Sequence, residues 1–268
     1  MTTSPSSPAA IEAVFGDGDL RDVTLRPAQT MRGEWRRFST FLRRPELPGE
    51  TAPTGAAARG MGRMIALDLI IMGALIAILM TLVAFGVELP DNLNARLDLT
   101  PGTIALIVIA APVLEELVFR SWLSGKPGYL LAFAILLASA GVAAIQGVSK
   151  TGQEAQLGVG LSILGGLVLA LIALIALRKR PAMRWFAALF PMFFWLSAGG
   201  FALFHLLNYT EGALWALLPL LLPQFILGTI AAYNRVNYGL WTAMVTHAAH
   251  NGFAISLALL AIAAGTES

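Results

Sequence analysis

The residues of this sequence that could do chemistry are ionisable side chains placed inside apolar stretches. The segment APVLEELVFRSWLSG carries Glu115, Glu116 and Arg120, and it follows the uncharged run GTIALIVIAA. Burying a charge in an apolar medium is expensive, so an ionisable residue inside a membrane segment is a candidate for function. These three side chains are therefore the first candidates.

The spacing of the three residues predicts two different roles on one helix. Glu116 and Arg120 are four residues apart with the acid first, the favourable order for a helical ion pair. Glu115 points about 100° away around the helix and has no partner in this motif. A buried carboxylate with no positively charged partner suits the role of a general base or acid. A purely structural network that holds helices together is the alternative for all three.

The three histidines of the chain also lie in apolar stretches. In GGFALFHLLNY, Phe201 and His205 are one turn apart on one helix face. In GLWTAMVTHAAHNGF, His247 and Asn251 share a face at a spacing of four residues. His250 lies about 60° from His247 on that helix, so we expect its part to be secondary.

A carboxylate, two imidazoles and a carboxamide are sufficient to hydrolyse an amide bond. Glu115 and His205 could deprotonate a water, while His247 and Asn251 donate to the developing oxyanion. Alternatively, Glu115, His205 and His247 could bind one Zn²⁺ that keeps an open position for water. Both chemistries predict that Glu115, His205, His247 and Asn251 converge on one water-accessible cavity.

The elements that must position these residues are membrane-spanning helices. The 268 residues are 57% hydrophobic and 13% charged, with a mean hydropathy of +0.72, far more apolar than a soluble domain. The sequence predicts an all-α polytopic transmembrane bundle of about seven spans, with six to eight as the allowed range. The predicted spans are 64–87, 102–124, 128–147, 157–177, 188–208, 212–233 and 239–264.

Positive charge predicts the orientation of these spans. With Arg120 set aside, fifteen Lys and Arg residues lie before the first span or in connections on the same side of the membrane as the N-terminus. The opposite side carries two, Arg96 and Lys150. The N-terminus is therefore expected in the cytosol and the C-terminus outside, in a prokaryotic inner or cell membrane. Asp68, five residues after Arg63, is expected to be an anchor at the cytosolic interface. The bias also explains the net charge of +2, so no nucleic-acid partner is expected.

Residues 1–60 are interpreted as a cytosolic N-terminal segment that begins in disorder and is followed by a transmembrane domain at 61–268. Within EWRRFSTFLRRPELPGE, Trp35, Phe38 and Leu42 share one helix face and arginines lie opposite. This pattern is typical of an amphipathic helix on an anionic membrane surface. A solvated basic linker is the alternative.

Three motifs in order resemble the CAAX-protease and bacteriocin-processing (CPBP, Abi) family of intramembrane proteases. They are E-E-x-x-x-R, F-x-x-x-H and H-x-x-x-N, each within an apolar helix, and the resemblance covers roughly 102–125 and 190–255. Here they are Glu115-Glu116 with Arg120, Phe201 with His205, and His247 with Asn251.

The resemblance implies an endopeptidase core and a role for each motif residue. Glu115 and His205 would activate water, Glu116 and Arg120 would support them, and His247 and Asn251 would stabilise the oxyanion. Members are often described as metalloproteases, but the motif set lacks a clear three-ligand zinc pattern. A glutamate mechanism without a cofactor is therefore favoured slightly over one divalent metal ion, zinc, held by Glu115, His205 and His247.

Two features depart from the family pattern. An extra helical pair at about 128–177 separates the first two motifs, and Ser121 stands where Gly commonly follows the Arg. The depth of His205 also needs explanation, since it lies about 21 Å along its helix from Pro191. We expect either that this helix protrudes into the cytosol or that the count of spans is wrong locally.

Two other functions remain open from the sequence. A proton-coupled transporter also uses Glu, Arg and His in the membrane, but it predicts inverted repeats, and no second E-E-x-x-x-R is present. A catalytically silent membrane adaptor or immunity protein would keep the same fold. The expected partners are a peptide or protein substrate, with or without a lipid, membrane lipids, and anionic lipid at the N-terminal basic helix.

Overall fold

The computed structural model describes residues 28–48, 51–149 and 151–266, and within these ranges it contains helices and no strand. Residues 1–27 of the predicted cytosolic segment lie outside the described residues. In chain order, the helices used below are α1 (Met31–Arg43), α2 (Thr54–Ala84), α3 (Pro101–Phe119), α4 (Pro127–Ser149), α5 (Gly152–Leu177), α6 (Arg184–Ala188), α7 (Phe190–Asn208), α8 (Leu214–Tyr238) and α9 (Leu240–Thr266).

Seven of these helices are long and apolar enough to cross a membrane, α2 to α5 and α7 to α9. The chain is therefore an all-α polytopic membrane protein, which confirms the predicted fold class and the count of seven. The main difference in boundaries is in the first span. That helix begins at Thr54 rather than at 64, and its first turns belong to the segment predicted to precede the domain.

Helix α8 forms the centre of the bundle and contacts α2, α7 and α9. Every residue from Leu227 to Tyr238 is buried. Small residues allow the close approach of its neighbours, because a Cβ at Gly228 would lie 3.1 Å from the carbonyl oxygen of Ala198 in α7. The inner surface of α8 therefore sets where the flanking helices present their polar side chains.

Helix α1 packs against the bundle near the end of α8. The ring of Phe38 contacts that of Tyr233 edge-on at 5.2 Å, and Trp35 and Leu42 are half-buried in the same cluster. Buried Glu34 accepts a hydrogen bond of 2.7 Å from the Tyr233 hydroxyl. The amphipathic helix predicted from the sequence is thus present, but its apolar face is covered by the protein, and only its basic face remains exposed.

The residues predicted as an extra helical pair form α4 and α5, which pack mainly against each other. Their contact face is built of small residues, and Gln146 of α4 donates a hydrogen bond of 3.1 Å to Ser162 of α5. Most of their large apolar side chains are exposed, as expected for a face in contact with lipid. The pair therefore lies beside the bundle and contributes no residue to the three motifs.

Candidate active site

Helix α3 carries the first motif and changes its winding just before it. Residues Leu106–Ala110 form a π-helical turn that is followed by Pro112. In that winding the carbonyl of Ile107 would accept from the N–H of Pro112, which proline lacks. The Asn251 amide supplies the donor instead, at 2.9 Å. The proline thus explains why α9 is fixed to α3 at this level.

The ion pair predicted from the sequence is present and fully buried. Nη1 of Arg120 donates a hydrogen bond of 3.0 Å to Oε1 of Glu116, and both side chains are 0% exposed. The guanidinium also lies over the Phe201 ring, 3.9 Å from its centroid, a favourable cation–π position. Phe201 of the second motif therefore supports Arg120 of the first.

Glu116 also joins the first motif to the third. Its Oε1 lies 2.9 Å from Nδ1 of His247, which donates the hydrogen bond when Glu116 is ionised. A ring nitrogen held in this way leaves the opposite nitrogen, Nε2, directed elsewhere. In this structure Nε2 of His247 faces Glu115.

Of the four residues predicted to converge, Glu115, His205 and His247 lie together, while the Asn251 amide donates to the Ile107 carbonyl. Oε2 of Glu115 lies 4.0 Å from Nε2 of His205 and 3.8 Å from Nε2 of His247. That oxygen is buried and has no hydrogen-bond partner within the described residues. The side chains of Glu115 and His205 nevertheless remain 25% and 17% exposed, against 2% for His247. The group is therefore reachable from outside the bundle on the side of Glu115 and His205.

The backbone fixes which nitrogen of His205 is available. Its Nδ1 donates a hydrogen bond of 2.8 Å to the carbonyl of Phe201. Because a carbonyl can only accept, Nδ1 carries the proton, and Nε2 of the neutral ring is a lone-pair acceptor. Both Oε2 of Glu115 and Nε2 of His205 are then acceptors, and one water molecule can donate to both.

The depth of His205 is explained by an offset between α7 and α3. The Ser197 hydroxyl donates a hydrogen bond of 2.7 Å to the carbonyl of Phe119, the last residue of α3. Residues of α7 before Ser197 therefore extend past the end of α3, and Phe194 contacts the ring of Phe41 in α1 at 5.2 Å. The offset lets His205 lie level with Glu115 although its helix begins well before that level.

The expectation for Asp68 as an interface anchor is wrong. Asp68 is buried, and its Oδ2 accepts a hydrogen bond of 2.8 Å from Nδ1 of His250. The distance from Arg63 was misleading for two reasons. Helix α2 starts ten residues earlier than predicted, and Arg63 is not a free interfacial charge, because it donates to the carbonyls of Ala28 and Gln29. His250 is thus committed to α2 and lies apart from the Glu115 group.

Arg235 is a second residue whose position the sequence did not indicate. It lies between the predicted spans 212–233 and 239–264, yet its side chain is buried in α8. Its Nε and Nη2 donate to the carbonyls of Arg120 and Ser121 at 3.1 Å and 3.0 Å. Arg235 therefore holds the chain segment that immediately follows the first motif.

The side chains at this site do not fit a zinc ion in their present positions. At Zn–ligand distances of about 2.1 Å, the separations from Glu115 to the two histidines require angles of about 145° and about 130°, against about 109° for a tetrahedron. Within the part of the chain that the structure describes, no group of three acidic or histidine residues is arranged to hold a metal. The mechanism proposed for this site therefore uses no metal ion.

Comparison with known proteins gives the family. The family model described as "Type II CAAX prenyl endopeptidase Rce1-like" matches residues 98–253. This range is more than half of the chain. The chain belongs to this family. No curated protein and no solved structure matches it significantly.

Membership confirms the resemblance found in the three motifs and places the chain, at family level, among the CAAX-type intramembrane endopeptidases. The matched range includes every residue of the motifs. It leaves out α1 and α2, and with them Glu34 and Asp68. The contacts that α1 and α2 make with the bundle are therefore features of this chain outside the matched range.

Proposed function

We propose that this chain is an intramembrane endopeptidase that hydrolyses a peptide bond with a water held between Glu115 and His205. The observation that carries the proposal is the 4.0 Å separation of Glu115 Oε2 and His205 Nε2. A water about 2.8 Å from each atom fits this gap and donates one O–H to each. Its lone pairs then face away from both acceptors, toward a substrate carbonyl.

The reaction follows from this arrangement. The water oxygen attacks the carbonyl carbon of the scissile bond, and its proton passes to Oε2 of Glu115. The carbonyl oxygen becomes an oxyanion in the tetrahedral intermediate. When the carbon–nitrogen bond breaks, the proton on Glu115 passes to the departing nitrogen, and the second proton of the water remains on the new carboxylic acid. Transfer of that proton to the amine gives a carboxylate and an ammonium ion as the products.

His247 and Asn251 are proposed as the donors to the oxyanion. Because Nδ1 of His247 donates to Glu116, its Nε2 can donate only if the ring is an imidazolium. Asn251 uses one N–H on the Ile107 carbonyl and retains a second. Preorganised donors of this kind are commonly the largest single contribution to the rate.

The charges of the cluster support an imidazolium at His247. Glu115 and Glu116 contribute two negative charges, and Arg120 contributes one positive charge. A protonated His247, which lies 2.9 Å from Glu116 and 3.8 Å from Glu115, makes the buried group neutral. Neutral groups of paired charges are the ones that an apolar interior tolerates. Glu116 and Arg120 therefore act as positioning residues for His247.

The chemistry proposed here needs no cofactor, and one zinc ion on Glu115, His205 and His247 is the alternative. The donor types would suit zinc, since one carboxylate and two imidazoles occur at zinc sites in hydrolases. The angles calculated above disfavour it without movement of the side chains.

The proposed substrate is a peptide or a membrane-associated protein, with or without a lipid. The exposure of Glu115 and His205 supports entry from the outside of the bundle rather than through it. We place the N-terminus in the cytosol and the C-terminus outside, since fifteen of seventeen Lys and Arg residues lie on alternate loops with the N-terminus. Reporter fusions that find both ends on one side would contradict this orientation.

The function is tested by comparing the peptides in cells that carry the wild-type chain or Glu115→Gln. We expect cleavage products that disappear in Glu115→Gln and persist in the control Glu154→Gln, which changes an exposed glutamate of α5. Both variants should be present in the membrane at the wild-type level. Identical peptide sets in all three strains would exclude the protease and favour a silent adaptor or a transporter.

A further inference from the structure

A cleft of about 580 Å³ lies at one end of the bundle, outside the group formed by Glu115 and the histidines. Its wall is built by the segments that connect successive helices, between α3 and α4, between α5 and α6, and at the end of α8. Five of its lining residues are basic. These are Lys126, Arg178, Lys179, Arg180 and Arg235.

The backbone holds these segments together. The N–H of Met183 donates a hydrogen bond of 2.9 Å to the carbonyl of Gly125, which joins the α5–α6 connection to the α3–α4 connection. Gly125 has a φ of +64°, and a Cβ there would lie 2.7 Å from the Phe186 ring. A glycine is therefore required at this turn. The basic residues are close because of the fold and not because they are neighbours in the sequence.

Among the described residues, no acidic side chain lines the cleft. Among residues 28–48, 51–149 and 151–266, no carboxylate forms an ion pair with any of the five basic residues. Cations concentrated in a concave surface repel one another and attract anions. The charge of the cleft therefore indicates a negatively charged ligand.

One of the five is a buried arginine, and among the described residues some of its N–H groups have no acceptor. Arg235 donates to two backbone carbonyls, of Arg120 and Ser121, which uses two of its five N–H groups. Its guanidinium carbon also lies 5.6 Å from the centroid of the Tyr129 ring, which is another side chain of the cleft. A fixed guanidinium with free N–H groups is well suited to a phosphate oxygen.

We propose that this cleft binds the phosphate of an anionic phospholipid head group. Its position is the reason for choosing a lipid, because its basic residues lie at the ends of helices long and apolar enough to span the membrane. Lys126 lies in the connection after α3, Arg178 to Arg180 follow α5, and Arg235 is in the last turn of α8. Lys and Arg clustered immediately beyond membrane helices are typical of sites for anionic lipids. This site is distinct from the basic face of α1, which carries its arginines on another element.

Binding at the cleft would also stabilise the segment that follows the first motif. Arg235 connects the cleft to the carbonyls of Arg120 and Ser121, and a bound phosphate would hold its guanidinium in place. The free-energy gain appears as a raised melting temperature when the lipid is added, because the ligand binds the folded state. This readout is independent of peptidase activity, so it stands or falls separately from the proposed function.

The test uses the full chain in a neutral detergent, with phosphatidylglycerol or phosphatidylcholine added in native mass spectrometry and thermal melting. The cleft variant is Arg178→Gln/Lys179→Gln/Arg180→Gln, whose three positions are exposed. The matched control is Arg32→Gln/Arg36→Gln/Arg43→Gln, which removes three exposed charges from α1. We expect the wild type and the control to retain phosphatidylglycerol over phosphatidylcholine, and the cleft variant to bind it about tenfold more weakly or worse.

Three results would overturn the proposal. Equal retention of phosphatidylglycerol by the cleft variant and the wild type would show that the cleft is not the site. Loss in the α1 control alone would assign the lipid to the basic face of α1. Stabilisation by inorganic phosphate or glycerol 3-phosphate but not by phosphatidylglycerol would make the ligand a soluble phosphate. Competition between glycerol 3-phosphate and phosphatidylglycerol would support the head-group site.

Discussion

Oε1 of Glu116 lies 2.9 Å from Nδ1 of His247, although 131 residues separate the two in the chain. The same oxygen accepts from Arg120 at 3.0 Å. A single carboxylate oxygen thus contacts both cations of the proposed neutral cluster. This shared contact makes Glu116 the residue through which the first and third motifs are coupled.

Glu116→Gln should lower the turnover number about a hundredfold or more, because His247 loses the charge that keeps it an imidazolium and an oxyanion donor. The Michaelis constant should change little, since Glu116 is buried and does not contact the substrate. Initial rates over a range of concentrations of a cleavable peptide measure both. An unchanged turnover number would remove the proposed role of Glu116.

Arg120→Ala should reduce the thermal stability and the yield as well as the activity. The substitution removes one of the two cations that contact the buried Glu116 carboxylate, and breaking a buried ion pair costs about 3–5 kcal/mol. Arg120→Lys should restore the stability only in part, because an ammonium ion cannot stack on the Phe201 ring as a planar guanidinium does. Melting temperatures in detergent measure the difference.

The matched control for Arg120 is Arg96→Ala, which breaks an exposed ion pair with Asp91. Exposed pairs contribute about 0–1 kcal/mol, so this variant should melt close to the wild type. A second variant, Glu116→Gln/Arg120→Met, removes both charges and should recover stability without recovering activity. If Arg120→Ala melts like Arg96→Ala, the buried pair has no structural role.

Asp68 and His250 should stabilise the packing of α2 on α9. Asp68→Ala and His250→Ala each leave a buried partner unsatisfied, and each should lower the melting temperature. The double variant should cost less than the sum of the two, because the interaction is already lost in either single variant. Glu88→Gln, an exposed acid after α2, is the control. Strictly additive effects would show that the two side chains are not coupled.

The sequence was sufficient to predict the seven helices and the grouping of the first, second and third motifs. The helices are predicted by apolar runs of membrane length, and the grouping of the motifs is predicted by the cost of isolated charges in lipid. Glu115, His205 and His247 could be expected to meet because no side chain of opposite charge lies within one turn of any of them except at Glu116–Arg120, which is a pair of its own. The Glu116–Arg120 pair could be predicted from a spacing of four residues alone.

The contacts of Asp68, Arg235 and Glu34 could not be predicted in the same way. Each partner lies on a different helix, and neither hydropathy nor helical spacing records which helices are neighbours. Arg235 illustrates the difficulty, because a basic residue near the end of an apolar span has the same sequence pattern whether it is exposed or buried. The start of α2 also differs from the prediction, since its first ten residues are mostly small, include two arginines and form no long apolar run.

Removal of metal ions should leave the peptidase activity unchanged. The gap between Glu115 and His205 accommodates a water with ordinary hydrogen bonds, whereas a zinc ion requires the two side chains to move closer. Dialysis of the purified chain against 1,10-phenanthroline, followed by a peptide cleavage assay and elemental analysis, tests this directly. His205→Ala should lose activity with or without the chelator, because the water then has a single acceptor. Activity that falls with the chelator and returns with added Zn²⁺ would show that Glu115, His205 and His247 hold a metal, and the water-only mechanism would be wrong.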